Sequence, residues 1–133
     1  MRLVIITQND PFYLSSNLKF FLDNLPQTHK VVGVVISSAS PFGKKESFLQ
    51  KAIKTKNIFG TKFFLYYAVK FIISKIFKTS LRKILKQYKI PEINIIGSIN
   101  NKNNLRTIDS FQPDLLISIL ANQIFKKPLI ELA

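Results

Sequence analysis

Asn122-Gln123, closing the apolar run from Leu115, holds side chains suited to meet a ligand, and Gln8-Asn9-Asp10-Pro11 closes a second apolar run as a helix start. Amides and a carboxylate can hydrogen-bond a polar molecule. In an open α/β sheet the crevice outside the carboxyl ends of the strands is where ligands bind. Other reactive chemistry is sparse. There is no cysteine, which excludes a disulfide framework and a thiolate metal site. One histidine, His29, and seven carboxylates leave little for a metal site or a general acid–base pair.

The elements that would position these stretches follow from the pattern of apolar residues. Leu3 to Thr7 is an apolar run suited to a buried strand. Asp10 suits the N-cap of a following helix and Pro11 its first position. Leu14, Leu18, Phe21, Leu22 and Leu25 then fall on one helical face, and Pro26 stops the helix. Val31 to Ile36 is a second, β-branched strand. Strand, helix, strand without a hairpin signal predicts a right-handed βαβ unit and a doubly wound opening. Later come a strand over 93–96, a helix carrying Leu105, Ile108 and Phe111, and an apolar run from Leu115 to Leu120 entered through Pro113-Asp114. That run reads as a fully buried parallel strand. A last helix begins at Pro128.

Between the second and third strands lies a segment of different character. The net charge is +13 over 133 residues, of which 47% are apolar. Residues 44–89 hold thirteen basic groups against Glu46 alone, so nearly all the excess sits there. Phe48, Leu49, Ala52 and Ile53 predict a short helix ending near Gly60. A second helix over 61–78 has Phe64, Leu65, Ala68, Val69, Phe71, Ile72 and Ile76 in one sector at about 100° per residue. Lys62, Tyr66, Lys70, Ser74 and Lys78 lie opposite, with Lys75 and Phe63 as exceptions. Ser80 suits the N-cap of a further helix with Leu81, Ile84, Leu85 and Tyr88 on its apolar face. The 61–78 helix is basic and amphipathic, and its lysines interrupt an apolar run that would need roughly twenty residues to cross a bilayer. The bland reading is a packed insertion with a solvated lysine face. An anionic membrane is the next partner that suits it, then an anionic acceptor or RNA. The amino-terminal apolar run is too short for a signal peptide, which predicts a cytoplasmic protein.

Taken in order, several pieces resemble the amino-terminal half of the formyltransferase domain. They are Arg2-Leu-Val-Ile-Ile-Thr7, Val31-Val-Gly-Val-Val-Ile36, Tyr88-Lys-Ile-Pro91, Asn100 with its following helix, Phe111-Gln-Pro-Asp-Leu-Leu-Ile-Ser118 and Ala121-Asn-Gln-Ile-Phe125. That family includes glycinamide-ribonucleotide formyltransferase, methionyl-tRNA formyltransferase and the sugar N-formyltransferases. The resemblance implies a three-layer, Rossmann-like, mostly parallel sheet of about four strands within residues 1–133. The basic helical insertion over 44–89 falls where relatives vary.

The resemblance further implies transfer of a formyl group from formyl-tetrahydrofolate to an amine, an acceptor such as a nucleotide-linked sugar being one candidate. The loop Leu120, Ala121, Asn122, Gln123, Ile124, Phe125 would face the folate, mainly through its backbone. Gln8, Asn9, Asp10 and Phe12 would lie on the substrate side. The glycine-rich turn that holds phosphate in glycinamide-ribonucleotide formyltransferase is missing here, and Pro11 removes an N–H. The family's catalytic Asn, His and later Asp would lie beyond Ala133, so residues 1–133 are expected to contain no catalytic residue and to be inert alone. His29 matches a connection at the far end of the sheet. The runner-up is a non-catalytic α/β module that docks to an anionic membrane or RNA through its basic helix.

Overall fold

The computed structural model describes residues 1–8, 10, 13–37, 47–77 and 80–133. Their elements are β1 (Arg2–Gln8), α1 (Leu14–Asp23), β2 (Lys30–Ser37), α2 (Phe48–Phe77), α3 (Leu81–Gln87), β3 (Glu92–Ile93), α4 (Lys102–Asp109), β4 (Leu115–Ile119) and α5 (Lys127–Ile130). The strands form one all-parallel sheet in the order β3-β2-β1-β4. This is an α/β fold of Rossmann-like type.

β1 is central, and the period-two alternation of a strand sends its side chains to two cores. Leu3 and Ile5 pack with Leu14 and Leu18 of α1 and Leu81 and Leu85 of α3. Val4 and Ile6 pack with Ile93, Ile99, Ile108 of α4 and Leu129 of α5. Three layers result. Arg2 latches the start of β1 to the lead-in of β4. Its N–H donates to Asp114 Oδ2 at 2.6 Å, its guanidinium donates to the Phe111 and Gln112 carbonyls, and its carbonyl accepts from the Asp114 N–H.

β2 breaks the alternation once. Leu3 pairs with Val31 but Val4 pairs with Gly33, so Val32 is an extra residue in the strand. Such a bulge puts two successive residues on one face. Val31, Val34 and Ile36 accordingly belong to the α1/α3 core, and Val32 and Val35 to the other.

Four expectations need adjustment. α1 starts at Leu14, a turn later than the Asp10-Pro11 signal suggests, although Asp10 still holds its first N–H groups. β3 pairs only at Glu92 and Ile93, and Ile96 is largely exposed. At the sheet's edge the chain leaves early, because residues 96–98 are gathered by Asn104 instead. Ser80 stands at the N-cap of α3, but its side chain makes no cap bond. β4 is half-buried rather than fully buried, since it has a strand neighbour on one side only among the described residues.

The insertion forms a 30-residue helix interrupted at Gly60, whose φ of 82° and ψ of 167° only glycine adopts readily. Nothing lies within 4 Å of where a Cβ would be, so glycine serves the bend and not a close approach. The insertion packs only in part: no described side chain of α2 is fully buried. The apolar sector of its second half divides. Phe64, Ala68 and Phe71 are half-buried, while Leu65, Val69, Ile72 and Ile76 are exposed.

Candidate functional site: the crevice between β1 and β4

From β1 the chain winds outward to β2 and β3, then returns to place β4 on the other side of β1. The connections of β1 and β4 therefore leave the sheet in opposite directions. The gap between them, outside the carboxyl ends, is the topological switch point where open α/β sheets bind ligands. Thr7 and Ile119 are the last residues that these two strands pair with each other. The gap is flanked by the chain after Gln8 and by the chain from Leu120. Gln8 at the end of β1 and Leu120 just past β4 thus flank one crevice.

On the β1 side, Asp10 is occupied with its own helix. Its Oδ2 accepts from the Tyr13 N–H at 2.6 Å and the Leu14 N–H at 3.0 Å. Gln8 is half-buried, and its carbonyl accepts from the Asp10 N–H at 2.9 Å. Asn9, Pro11 and Phe12 lie outside the described residues. Tyr13, half exposed, receives an unexpected neighbour: Lys70 of α2 donates to its hydroxyl and places its ammonium 4.8 Å from the ring centre. The bond to that hydroxyl raises the Lys70 pKa above its ordinary value, with burial opposing.

On the β4 side, the loop after Ile119 is held from behind. Gln123 Nε2 donates to Ser37 Oγ at 2.7 Å, and its Oε1 accepts from the Ile99 N–H at 2.7 Å. The Asn100 side chain donates to the Ile124 carbonyl and accepts from the Lys126 N–H. One amide from each loop therefore ties Leu120–Phe125 to the turn before α4. Gln123 acts as a strut between strand ends, so its side-chain amide is already engaged. Leu120 and Ile124 are exposed, and Ala121, Asn122 and Phe125 are half-buried. Among the described residues, no hydrogen bond engages the N–H groups of Ala121, Gln123, Ile124 or Phe125. Such a strip of donors can line the edge of a flat heterocycle without demanding particular side chains.

Leu120 turns into this loop with φ at 54°, in the left-handed region that costs a side-chain-bearing residue about 1 kcal/mol or more. Its side chain is exposed, so packing offsets little of that strain. Leu120→Gly is expected to stay within about 1 kcal/mol of the parent, because the relief is matched by greater freedom of the unfolded chain. Leu120→Val should lose about 1–2 kcal/mol, since branching at Cβ worsens the same conformation. Urea unfolding of the two variants checks this, and equal effects would remove strain as the explanation.

Sequence reasoning missed Ser37, Asn104, Tyr13 and Lys70 as parts of the surroundings. The Asn100–Asn104 cluster was a usable signal, since asparagines ahead of a helical period often cap and cross-brace turns. Asn101 does cap α4, accepting from the Asn103 N–H. The 57-residue separation of Tyr13 and Lys70 left no local signal.

A second cleft, of about 400 Å3, opens at the ends of β2 and β3 and is lined by Ile36, Ser80, Leu81, Arg82, Glu92, Asn94 and Ile95. Its charged groups satisfy one another. Arg82 Nε lies 2.8 Å from Glu92 Oε2, and the guanidinium holds that carboxyl below its ordinary pKa. The cleft includes neither sequence-singled stretch and lies away from the switch point, which makes the β1/β4 crevice the stronger candidate.

Reactive groups are scarce at the crevice itself. His29 sits on the α1–β2 connection beside the start of β1, with Nδ1 2.8 Å from Thr28 Oγ1, at the opposite end of the sheet. No group of three or more His, Cys, Asp or Glu among the described residues could hold a metal ion. The described crevice residues can bind and orient, and their ionisable side chains are Asp10 and the Tyr13–Lys70 pair. Compared with protein-family models and with curated proteins, the chain matches none.

Proposed function

We propose that this chain forms the cofactor side of a formyltransferase crevice, in a protein that moves a formyl group from formyl-tetrahydrofolate to an amine. The observation that carries the reading is the β3-β2-β1-β4 order, which brings the chain after Gln8 and the Leu120–Phe125 loop to one switch point. The N–H groups of the latter supply donors for a pterin edge, as the sequence resemblance calls for. Gln123 and Asn100 support the reading by stiffening that loop from behind, away from the ligand.

Transfer needs a group that polarises the formyl carbonyl and one that takes the amine's proton. The reading assigns both to a segment following Ala133 and gives residues 1–133 the tasks of binding and orientation. The acceptor is an amine, with a nucleotide-linked amino sugar as the first candidate. The test uses the full-length gene product with radiolabelled formyl-tetrahydrofolate and a panel of amino sugars, nucleotide-linked amino sugars and aminoacyl-tRNA. Label should appear in one acceptor class. Calorimetric titration with formyl-tetrahydrofolate that shows no heat of binding, together with no transfer, would sink the reading.

A further inference from the structure

The second half of α2 shows its apolar residues to the outside in an ordered way. Leu65, Val69, Ile72, Ile73 and Ile76 follow one another at spacings of three, four and one residues along one side of the helix. All five are between 51% and 68% exposed. Isolated exposed aliphatics are ordinary on a protein surface, but a contiguous stripe marks a surface that is covered by something. The opposite side of the helix is the one turned to the protein. Phe64, Tyr67, Ala68 and Phe71 are half-buried there, and Lys70 bonds to Tyr13 at the N-cap of α1. This anchorage fixes which way the stripe faces.

We infer that residues 61–77 seat on an anionic bilayer surface, with the Leu65–Val69–Ile72–Ile76 stripe entering the headgroup–acyl boundary and the exposed Lys62, with Lys54 and Lys56 of the preceding half of α2, held by acidic headgroups. Charge selects this occupant. Residues 47–77 contain six lysines and no Asp or Glu, and Lys54, Lys56 and Lys62 are exposed. A second copy of the chain would bring the same excess of positive charge against itself. RNA would meet an aliphatic stripe where it needs rings for stacking. The helix's aromatic residues are largely engaged with one another instead, Phe59 with Phe63 at 4.9 Å between ring centres and Phe63 with Tyr67 at 4.6 Å. No helix among the described residues is long and apolar enough to cross a membrane. At about 1.5 Å per residue the segment is also shorter than the roughly 30 Å hydrocarbon layer. A basic amphipathic helix of this kind lies in the plane of the interface.

The inference does not depend on the formyl-transfer reading. Its test is co-sedimentation of the full chain with vesicles of phosphatidylcholine alone and of phosphatidylcholine mixed with phosphatidylserine. Binding is expected to the mixed vesicles and to be weak on the neutral ones. The Val69→Asp/Ile72→Asp double variant changes only exposed positions and should unfold at the parent's temperature while losing about tenfold or more in partitioning. Lys54→Glu with Lys62→Glu should lose binding in the same direction. No binding to either vesicle overturns the inference. So does undiminished binding of the double aspartate variant, which would mean simple adsorption of positive charge. So does a parent dimer that the double variant splits into monomers, which would assign the stripe to a second copy.

Discussion

Replacing Gly33 with valine is expected to destabilise the fold by about 2–3 kcal/mol, the upper part of the range for overpacking a well-filled core. A Cβ at this position would lie 2.5 Å from Ile93 Cδ1, 2.9 Å from Ile93 Cγ1 and 3.2 Å from Phe111 Cδ1. Ile93 is buried and cannot swing aside into solvent. The crowding follows from the bulge in β2. Val32 and Gly33 both address the α4/α5 face, and Ile93 and Phe111 fill the space a second side chain would take. A glycine in a strand costs roughly 0.5–1 kcal/mol through its unfolded-state freedom, so a substitution recovers that much and loses more to the clash. Gly33→Ala should fall between the parent and the valine variant in urea unfolding. If valine were neutral, the Ile93–Phe111 contact would not be as tight as described.

Asn104 carries the second large effect. It is nearly buried, and its amide donates to the Ile96 carbonyl at 2.9 Å and the Ser98 carbonyl at 2.7 Å, while Oδ1 accepts from the Ile96 N–H at 3.3 Å. The three bonds close the turn through Gly97, whose φ is 73°. Asn104→Ala is expected to cost about 1–3 kcal/mol, below the sum of three bonds because water reaches exposed Ile96. Asn104→Asp should cost more at neutral pH, since it sets a carboxylate against two carbonyl oxygens. That extra loss should recover on acidification, as the protonated acid can donate to one of them. Denaturant unfolding at neutral and acidic pH distinguishes the two variants. An aspartate no worse than alanine at neutral pH would show that the donors do not matter.

The sheet was legible because its signals are local. Leu3–Thr7 and Val31–Ile36 are unbroken apolar runs, and one parallel neighbour demands a crossover that the α1 pattern supplies. The break at Gly60 was legible for the same reason. β3 was overextended because Ile95 and Ile96 continue the apolar run, whereas the competing bonds come from Asn104, in a later helix. The burial of β4 was overestimated since apolar composition does not reveal whether a strand has one neighbour or two. The candidate crevice was half legible. Its position follows from strand order, but which amides face a ligand and which brace a loop depends on pairs such as Gln123 with Ser37, 86 residues apart. Periodicity said nothing of which part of the α2 sector would be turned outward, since that is fixed by Tyr13.

The extra residue at Val32 has a consequence for how this strand can change length. Losing one residue from a buried strand ordinarily turns everything beyond it inside out. Here the two halves of β2 are already counted separately, Val31 from Leu3 and Gly33 onward from Val4. Removal of Val32 would leave both halves on their present partners and every later side chain in its present core. The cost falls on the side chain removed. Most single deletions in a buried strand scramble both faces; this one position is a frame-neutral joint, where the gene can drop a codon and keep the sheet.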